Sequence, residues 1–478
     1  MTSPDTPAEA TAFPTERSPR LRILIPSIVA IAFLMEQLDS TVIVTAIPRM
    51  AETLGTTPLR MNLAVTAYVL ALAMFIPLSG WLADRFGARR VFALSLLVFT
   101  LGSALCGFST SLEMLVATRV LQGFGGAMMI PVGRLILIRS FPRRKLATAM
   151  ALMTYPAIAG PVLGPVVGGF LTTYFSWRWI FYINLPFGFL GIWAALRYVE
   201  ETGTDRTARF DFSGFLLAGS GLALLQFGIE NVGRGAMSPV GMAGLLAASI
   251  AILAIFARHA RRVAAPAVDL TLFRLRTFRI ATLAGGLCRI GFNGVPFLLP
   301  LLLQLGFGMT PLLSGALTCV SALAALPVRA LALWLLRRLA FRGAMIASAI
   351  AGSLTIAAFA ALEPTTPKWM IMALVLLFGL CRSAQFMSSN MLAYADIPSP
   401  RLSRATSLGG ALQQLSVSFG VSAAAILLAL AAPAHEALTA GDFRIVFLLS
   451  ALIPLLAIPG LVLLRPDDGE EVIDRRGE

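Results

Sequence analysis

Long apolar runs separated by short polar segments repeat along almost the whole chain. An α-helix rises about 1.5 Å per residue, so about 20 apolar residues suffice to cross the hydrocarbon core of a bilayer. The runs are continuous rather than alternating, which indicates helices instead of a membrane β-barrel. We therefore predict an all-α integral membrane protein with fourteen spans, at residues 23–48, 62–82, 91–108, 113–138, 146–174, 178–199, 211–230, 238–258, 278–303, 310–334, 344–362, 368–391, 404–432 and 444–464.

The composition agrees with a multi-pass membrane protein. Of the 478 residues, 57% are hydrophobic and only 13% are charged, and the mean hydropathy is +0.82. The net charge of +14 could suggest nucleic acid as a partner, but the basic residues lie in short segments between apolar runs. An excess of basic residues in cytoplasmic loops accounts for them better, so we expect a lipid bilayer and no nucleic acid as partner.

The distribution of charge also predicts the topology. An even number of spans puts both termini on one side of the membrane, and that side carries 26 Lys and Arg residues against six on the other. Basic residues concentrate in cytoplasmic loops, so we expect both termini to be cytoplasmic.

Two internal loops, 200–210 and 259–277, flank a pair of spans with few charges. Six spans precede this pair and six follow it. The predicted organisation is a cytosolic tail (1–22), a six-helix bundle (23–199), a linker (200–277) that contains a two-helix hairpin (211–258), a second six-helix bundle (278–464) and a tail (465–478).

A short internal repeat supports two related bundles. Residues 81–85 (Trp-Leu-Ala-Asp-Arg) follow the second span, and residues 334–338 (Trp-Leu-Leu-Arg-Arg) follow the second span of the second set. Arg89 and Arg342 then occur at the same offset. Duplicated bundles are common among transporters.

Two acidic residues, Glu36 and Asp39, lie well inside the first span. They are three residues apart and therefore share a helix face. A carboxylate at that depth is costly and faces a cavity or a partner, which makes both residues candidates for binding a proton. The alternatives are that the span is misplaced by a turn or two, or that Glu36 recognises a cation.

Arg119 lies several residues inside the fourth span, in the run 119–126 (Arg-Val-Leu-Gln-Gly-Phe-Gly-Gly). An arginine at this depth needs an acid, a carbonyl group or water, unless it extends to the outer surface. The glycines of the run do not follow a strand, so they do not form a nucleotide-binding fingerprint.

The segment 80–90, which joins the second and third spans, predicts a tight turn with glycines where the chain reverses. Asp84 at the helix junction can interact with helix N-termini or with neighbouring arginines. The alternative is an ordinary basic loop. The candidate residues of this loop are Gly80, Asp84, Arg85, Gly87, Arg89 and Arg90.

In the fifth span, Gly160, Gly164 and Gly168 recur every four residues and predict a flat face for close helix contact. Pro161 and Pro165 remove backbone donors and are expected to bend the helix. Helix packing alone would account for this pattern.

The predicted spans of the second bundle contain two charged residues, Arg289 and Arg382. Each has an amide residue nearby in the same span, Asn293 or Gln385. Two arginines that face one cavity would favour an anion, because guanidinium groups match carboxylates. Alternatively, each arginine pairs with a helix carbonyl group or with an acid of the first bundle. With Gln122, these four residues are our candidates for lining a central cavity.

These segments resemble the major facilitator superfamily. Residues 80–90 match its loop pattern G-x-L-A-D-R-x-G-x-R-R, and residues 119–125 and 160–169 resemble two motifs of drug/proton antiporters. With residues 38–41 and 177–186, the chain is similar to the fourteen-helix drug/proton antiporter family (EmrB/QacA-like). Residues 127–134 and 272–278 are most similar to its MdtD-type branch. Glu36 departs from the family pattern, which has an uncharged residue there.

The resemblance implies a major facilitator fold and alternating access between two six-helix bundles. It implies export of a small molecule across the bacterial inner membrane against inward proton flow, with coupling at Asp39, Glu36 and Arg119 and a cytosolic gate at residues 80–90. The alternative is export of an organic anion or its metal complex, such as a citrate-like one. We expect a monomer.

No run of the form G-x-x-x-x-G-K-[ST] is present, so we do not expect ATP as the energy source. The resemblance implies the proton motive force instead. No nucleophile–base pattern stands out, and the two histidines are not in a metal-ligand arrangement. We therefore expect no enzyme activity, no metal and no cofactor.

Overall fold

The computed structural model describes residues 19–141, 143–201, 210–231, 238–263, 266–324, 326–398, 401–431, 438–465 and 468–469. Within these ranges, only the backbone is described for residues 19–22, 143–158, 239, 329 and 403.

The regular elements of the described chain are helices. They are α1 (Pro19–Thr53), α2 (Asn62–Phe86), α3 (Ala88–Phe108), α4 (Leu112–Ser140), α5 (Arg143–Tyr174), α6 (Trp179–Tyr182), α7 (Asn184–Tyr198), α8 (Phe212–Asn231), α9 (Pro239–Ala260), α10 (Arg276–Leu301), α11 (Pro311–Thr318), α12 (Val320–Leu323), α13 (Val328–Ala358), α14 (Lys368–Ala395), α15 (Leu402–Ala431), α16 (Ala440–Leu455) and α17 (Ile458–Val462). Short 3-10 turns cover Leu270–Arg274 and Phe359–Ala361, and a π-turn, Leu302–Gly306, extends α10.

Twelve helices of the described chain are long and apolar enough to cross a membrane, so the predicted count of fourteen is not confirmed. One predicted span outside the twelve, 146–174, lies in α5, half of whose side chains are not described. The other, 310–334, is interrupted between α12 and α13. Pro327 directly precedes α13, and proline has no N–H to continue a helix that enters it.

A residue with positive φ follows the repeat at the same offset in each bundle. Gly87 separates α2 from α3 with φ 92° and ψ 137°, and Ala340 divides α13 into two helices with φ 52° and ψ −179°. Each is the sixth residue after the tryptophan of the repeat, Trp81 or Trp334. In both bundles the repeat found in the sequence is therefore followed by a break in the helix.

Helices α1–α7 pack against one another, and so do α10–α17. The main contacts between the two bundles are those of α2 with α15 and of α5 with α11. Helices α8 and α9 form a hairpin that packs mainly on itself, and α8 also contacts α2 and α15. The hairpin thus lies against the seam between the bundles.

The bundles meet at the C-terminal ends of α1, α5 and α10. Gln304 Nε2 donates a hydrogen bond to the Thr45 carbonyl oxygen at 3.1 Å, and Leu312 N donates one to Thr173 Oγ1 at 3.2 Å. We call this end of the molecule the distal end, and the opposite end, where α1 and α10 begin, the basal end. A Cβ atom on Gly315 would overlap the carbonyl oxygen of Pro165, so the contact at the distal end is close.

Candidate functional site

Asp39 and Arg119 form a buried ion pair between α1 and α4. Arg119 Nη1 lies 2.5 Å from Asp39 Oδ2, and neither side chain is exposed. Ion pairs buried in a low-dielectric interior need additional hydrogen bonds to offset the desolvation of both charges.

Two amide side chains supply those bonds to the carboxylate. Gln122 Nε2 donates to Asp39 Oδ1 at 2.8 Å, and Asn184 Nδ2 lies 3.4 Å from the same oxygen. Arg119 Nη1 also donates to Gln122 Oε1 at 2.8 Å, so the three residues form one network. Both oxygens of Asp39 therefore accept hydrogen bonds.

The guanidinium group of Arg119 is held on its other sides by α2. Its Nε donates to the Ala64 carbonyl oxygen at 3.2 Å, and its Cζ lies 4.1 Å from the centre of the Tyr68 ring. The acid and the carbonyl group that an intramembrane arginine needs are thus both present. Arg119 is fully buried and does not extend to the surface.

The glycines that follow Arg119 bring α4 close to its neighbours. A Cβ on Gly123 would overlap the Tyr68 carbonyl oxygen on α2, and one on Gly125 would overlap the backbone of Phe99 on α3. The polar side chains at 119 and 122 are fully buried and make their hydrogen bonds inside the first bundle.

The three glycines of α5 pack against α1. Gly160 lies against Gln37, Gly164 against Thr41 and Gly168 against the backbone and side chains at 42–45, so the stripe follows one face of α1 for two turns. Thr41 Oγ1 also lies within hydrogen-bond distance, 3.3 Å, of the Gly160 carbonyl oxygen.

A cavity of about 500 Å³ lies between the two bundles. Glu36, Pro161 and Pro165 line it from the first bundle, and Arg289, Asn293, Arg382 and Gln385 line it from the second. Gln122 was also expected in this cavity, and the structure corrects that prediction. Its amide is fully buried in the wall of the first bundle, where it bonds to Asp39 and Arg119.

The two acids of α1 occupy different surroundings. Asp39 belongs to the network inside the first bundle and does not line the cavity, whereas Glu36 lines it. Glu36 is 4% exposed, and its Oε2 has no hydrogen-bond partner among the described residues. One carboxyl group is therefore satisfied by described protein groups, and the other has an oxygen without a described partner beside the cavity.

Arg289 and Arg382 line the opposite wall, on α10 and α14. Neither forms an ion pair with an acid of the described chain, and the Nε atom of each has no partner there. Gln385, also on α14, is fully buried, and neither its amide nitrogen nor its amide oxygen has a hydrogen-bond partner among the described residues. The cavity thus has donors on one wall that no described protein group satisfies.

The loop at residues 80–90 makes its described ion pairs with α4 and with Glu201, just beyond the end of α7. Arg139 Nη2 lies 2.7 Å from Asp84 Oδ1, and Arg89 and Arg90 lie 3.5 and 3.4 Å from Glu201 Oε2. Gly87 makes the reversal. Arg85 lies in the last turn of α2, and Gly80 has open space around the position of a Cβ atom.

Three groups of the buried network were not singled out as site residues from the sequence. Asn184 is a polar residue inside an aromatic-rich span, which is a usable signal. Tyr68 and the Ala64 carbonyl group have none, because aromatic rings and backbone groups occur in every span.

No group of three or more His, Cys, Asp or Glu side chains in the described ranges is arranged to hold a metal ion. The expectation of no cofactor stays a prediction.

Comparisons with known proteins agree on one family. The model of the Major Facilitator Superfamily matches residues 29–421. A protein of Cronobacter sakazakii named "Putative multidrug resistance protein MdtD" is 40% identical over 445 residues, which cover 92% of this chain and 94% of the relative. One of the same name from Pectobacterium carotovorum is 38% identical over 91% and 94% of the two chains. The structure of the nucleoside transporter NupG superposes with a TM-score of 0.63 at 16% identity, over 92% of this chain and 98% of NupG, which shows the fold alone.

Proposed function

Because the chain belongs to the Major Facilitator Superfamily, we propose that it exports small molecules across the bacterial inner membrane in exchange for protons. Its membership makes it a multi-pass membrane transporter and not an enzyme. Export is proposed because its relatives are named putative multidrug resistance proteins. The proton is proposed as the exchanged ion because of the buried pair Asp39–Arg119.

That pair carries the proposal. An ionised carboxylate and a guanidinium group attract each other strongly where water is excluded, and protonation of Asp39 removes this attraction. The network of Gln122 and Asn184 must then rearrange, because a protonated carboxyl group is a donor as well as an acceptor. Proton binding thereby changes the relative free energies of two arrangements of α1 and α4.

Proton binding drives alternating access when its free energy differs between the state open at the distal end and the state open at the basal end. Moving a population from 1:99 to 99:1 requires about 5.5 kcal/mol of differential binding free energy. The structure is closed at the distal end, where Gln304 and Leu312 bond across the bundles. We propose that the proton and the substrate favour opposite states and that residues 80–90 close the basal end when the distal end opens.

We place the basal end in the cytoplasm, because the segments at that end carry most of the basic residues. The cavity is the proposed substrate site, since about 500 Å³ lies within the range of pockets that hold drug-sized ligands. The proposed unit of transport is the monomer, because the first bundle, the second bundle and the cavity between them belong to one chain.

A second candidate function is export of an organic anion or its metal complex, such as a citrate-like one. Arg289 and Arg382 favour it, because two buried guanidinium groups on one cavity wall match the carboxylates of a polyanion. Glu36 on the opposite wall favours a cationic drug instead.

One experiment tests both candidates. Purified protein is reconstituted into vesicles that contain a pH-sensitive dye, and proton flux is recorded on addition of lipophilic cations, neutral drugs and organic acids. Proton exit that depends on substrate supports the antiport proposal, and the substrate class that triggers it chooses between the candidates. Substrate movement without proton movement, in protein that transports, would overturn the coupling.

A further inference from the structure

Glu230, near the end of α8, joins the hairpin to both bundles. Glu230 is 3% exposed. Its Oε1 accepts hydrogen bonds from Thr66 Oγ1 on α2, from Gln226 Nε2 at 2.9 Å and from Ser422 Oγ on α15 at 3.2 Å. Gln226 Nε2 also donates to Ser422 Oγ at 2.6 Å. One oxygen of the hairpin is therefore bonded to the first bundle and to the second.

This cluster lies towards the distal end. Thr66 is in the second turn of α2, which begins at the distal end with Asn62, and Glu230 is one residue from the end of α8. The direct hydrogen bonds between the bundles, at Thr45 and Thr173, are in the same half of the molecule. The cluster and the closed distal contact thus belong to one region.

Packing of the hairpin does not explain a carboxyl group at this site. An acidic side chain within a membrane-spanning helix is costly, and an apolar residue would fill the same seam without that cost. The neighbouring hairpin position, Gln226, is also polar and 2% exposed. Two buried polar residues one turn apart on α8 face the seam, where α2 and α15 pack side by side.

We propose that Glu230 is a positioning residue of the transport cycle, which holds the two bundles together in the distal-closed state. Thr66 and Ser422 belong to different bundles, so opening the distal end separates them, and one carboxyl oxygen cannot remain bonded to both. The bonds are made in one state and lost in the other, which is the condition for shifting a two-state equilibrium. The hairpin is then part of the moving machinery. The proposal rests on alternating access, but not on proton coupling.

The test measures the distance between the bundles at the distal end. Spin labels are placed at Glu52→Cys and Glu363→Cys, exposed positions on the first and the second bundle, in a parent from which the four native cysteines have been removed and which still transports. Distances are recorded by double electron–electron resonance in reconstituted protein, with and without Glu230→Ala. We expect the ratio of long to short distances to rise at least fivefold.

Two further variants separate a conformational role from a structural one. Glu230→Gln keeps one acceptor oxygen, so its ratio of long to short distances should lie between those of the parent and of Glu230→Ala. Ser220→Ala removes an exposed hydroxyl group of the same helix whose hydrogen bonds among the described residues lie within α8, and it should leave the distances unchanged. General loosening of the fold would instead broaden the distribution of spin-label distances without moving population from the short to the long distance. That result would show a structural role and contradict the proposal.

If Glu230→Ala does not reach the membrane, Thr66→Val and Ser422→Ala each remove one donor and should shift the distances in the same direction. Unchanged distances in folded Glu230→Ala, or in both donor variants, would overturn the proposal. Proton flux in the unlabelled protein tests the proposed function separately, because the distance measurement does not depend on which ion is exchanged.

Discussion

Asp39 on α1 and Arg119 on α4 lie 2.5 Å apart with no exposed surface on either side chain, 80 residues apart in the chain. Removing one partner of a buried ion pair leaves the other charge uncompensated and typically costs about 3–5 kcal/mol. The pair therefore matters to the stability of the first bundle as well as to transport, and experiments must separate the two effects.

Asp39→Asn should lower transport driven by a proton gradient at least tenfold relative to the parent, while the protein remains in the membrane. Asparagine keeps the shape of the aspartate side chain and can still accept the hydrogen bond from Gln122, but its amide group does not bind and release a proton. Gradient-driven uptake into vesicles measures the effect. The double variant Asp39→Asn with Arg119→Gln should recover thermal stability and not transport. Normal gradient-driven transport in Asp39→Asn would remove Asp39 from the coupling role.

Asp84→Ala should slow turnover several-fold with little change in substrate affinity. The change removes the 2.7 Å ion pair with Arg139 in a loop that lies outside the cavity. Transport rates and binding measured on the same preparation separate the two quantities. Glu52→Ala, which removes an exposed ion pair at the distal end, is the matched control. Unaltered turnover would leave the loop with a structural role only.

Arg382→Ala should weaken efflux of organic anions roughly tenfold or more and spare cations. A hydrogen bond to a charged group contributes about 1.5–3 kcal/mol, and each 1.4 kcal/mol corresponds to tenfold. Efflux rates of anions and of cations, measured as a function of substrate concentration, check this prediction. Lys368→Ala, at the exposed start of α14, is the control. A loss confined to cationic dyes would contradict an anion site at this arginine.

Gly164→Ala should lower both stability and transport, because the added Cβ would overlap Thr41 Oγ1 on α1. Gly244→Ala, in α9, is the control, since nothing lies within 4 Å of a Cβ atom there. In that helix the change should be neutral or stabilise by up to about 1 kcal/mol. Thermal unfolding in detergent and vesicle transport check both variants. Equal behaviour of the two alanines would show that the α1–α5 contact tolerates a side chain.

Ala340→Gly should raise stability by roughly 1 kcal/mol. Alanine at φ 52° is in a conformation that L-residues avoid and glycine adopts readily, as Gly87 does at the equivalent turn. Gly87→Ala should be destabilising, both for its φ and because a Cβ would overlap the Glu201 carboxylate. Ala349→Gly, in the buried part of the same helix, should destabilise by about 0.5–1 kcal/mol. Lower stability of Ala340→Gly than of the parent would contradict the turn at that residue.

The glycines of the fifth span show what the periodicity of a sequence can predict and what it cannot. Spacing by four predicts a small-residue face, and the structure has that face, because one helix turn brings such residues into line. Periodicity does not say which helix meets the face. That α1 does, at Gln37 and Thr41, depends on how the helices of the bundle are arranged.

Gln122 and Glu230 mark the opposite case. Both are polar residues in apolar spans, and the sequence alone assigned the first to the cavity and passed over the second. Whether such a side chain faces a cavity, an ion pair or a seam between bundles depends on the rotation of its helix, which polar residues spaced singly along a span do not determine.

The amino-acid sequence by itself determined that this is a helical membrane protein, and it predicted two related halves, because apolar run length and a short repeat are properties of the linear chain. It also marked Asp39 and Arg119 as costly enough to need partners. Only the tertiary structure decided that they partner each other, that Glu36 instead lines the cavity and that Glu230 links both bundles. Such pairings depend on the packing of helices distant in sequence, and packing is a property of the folded molecule.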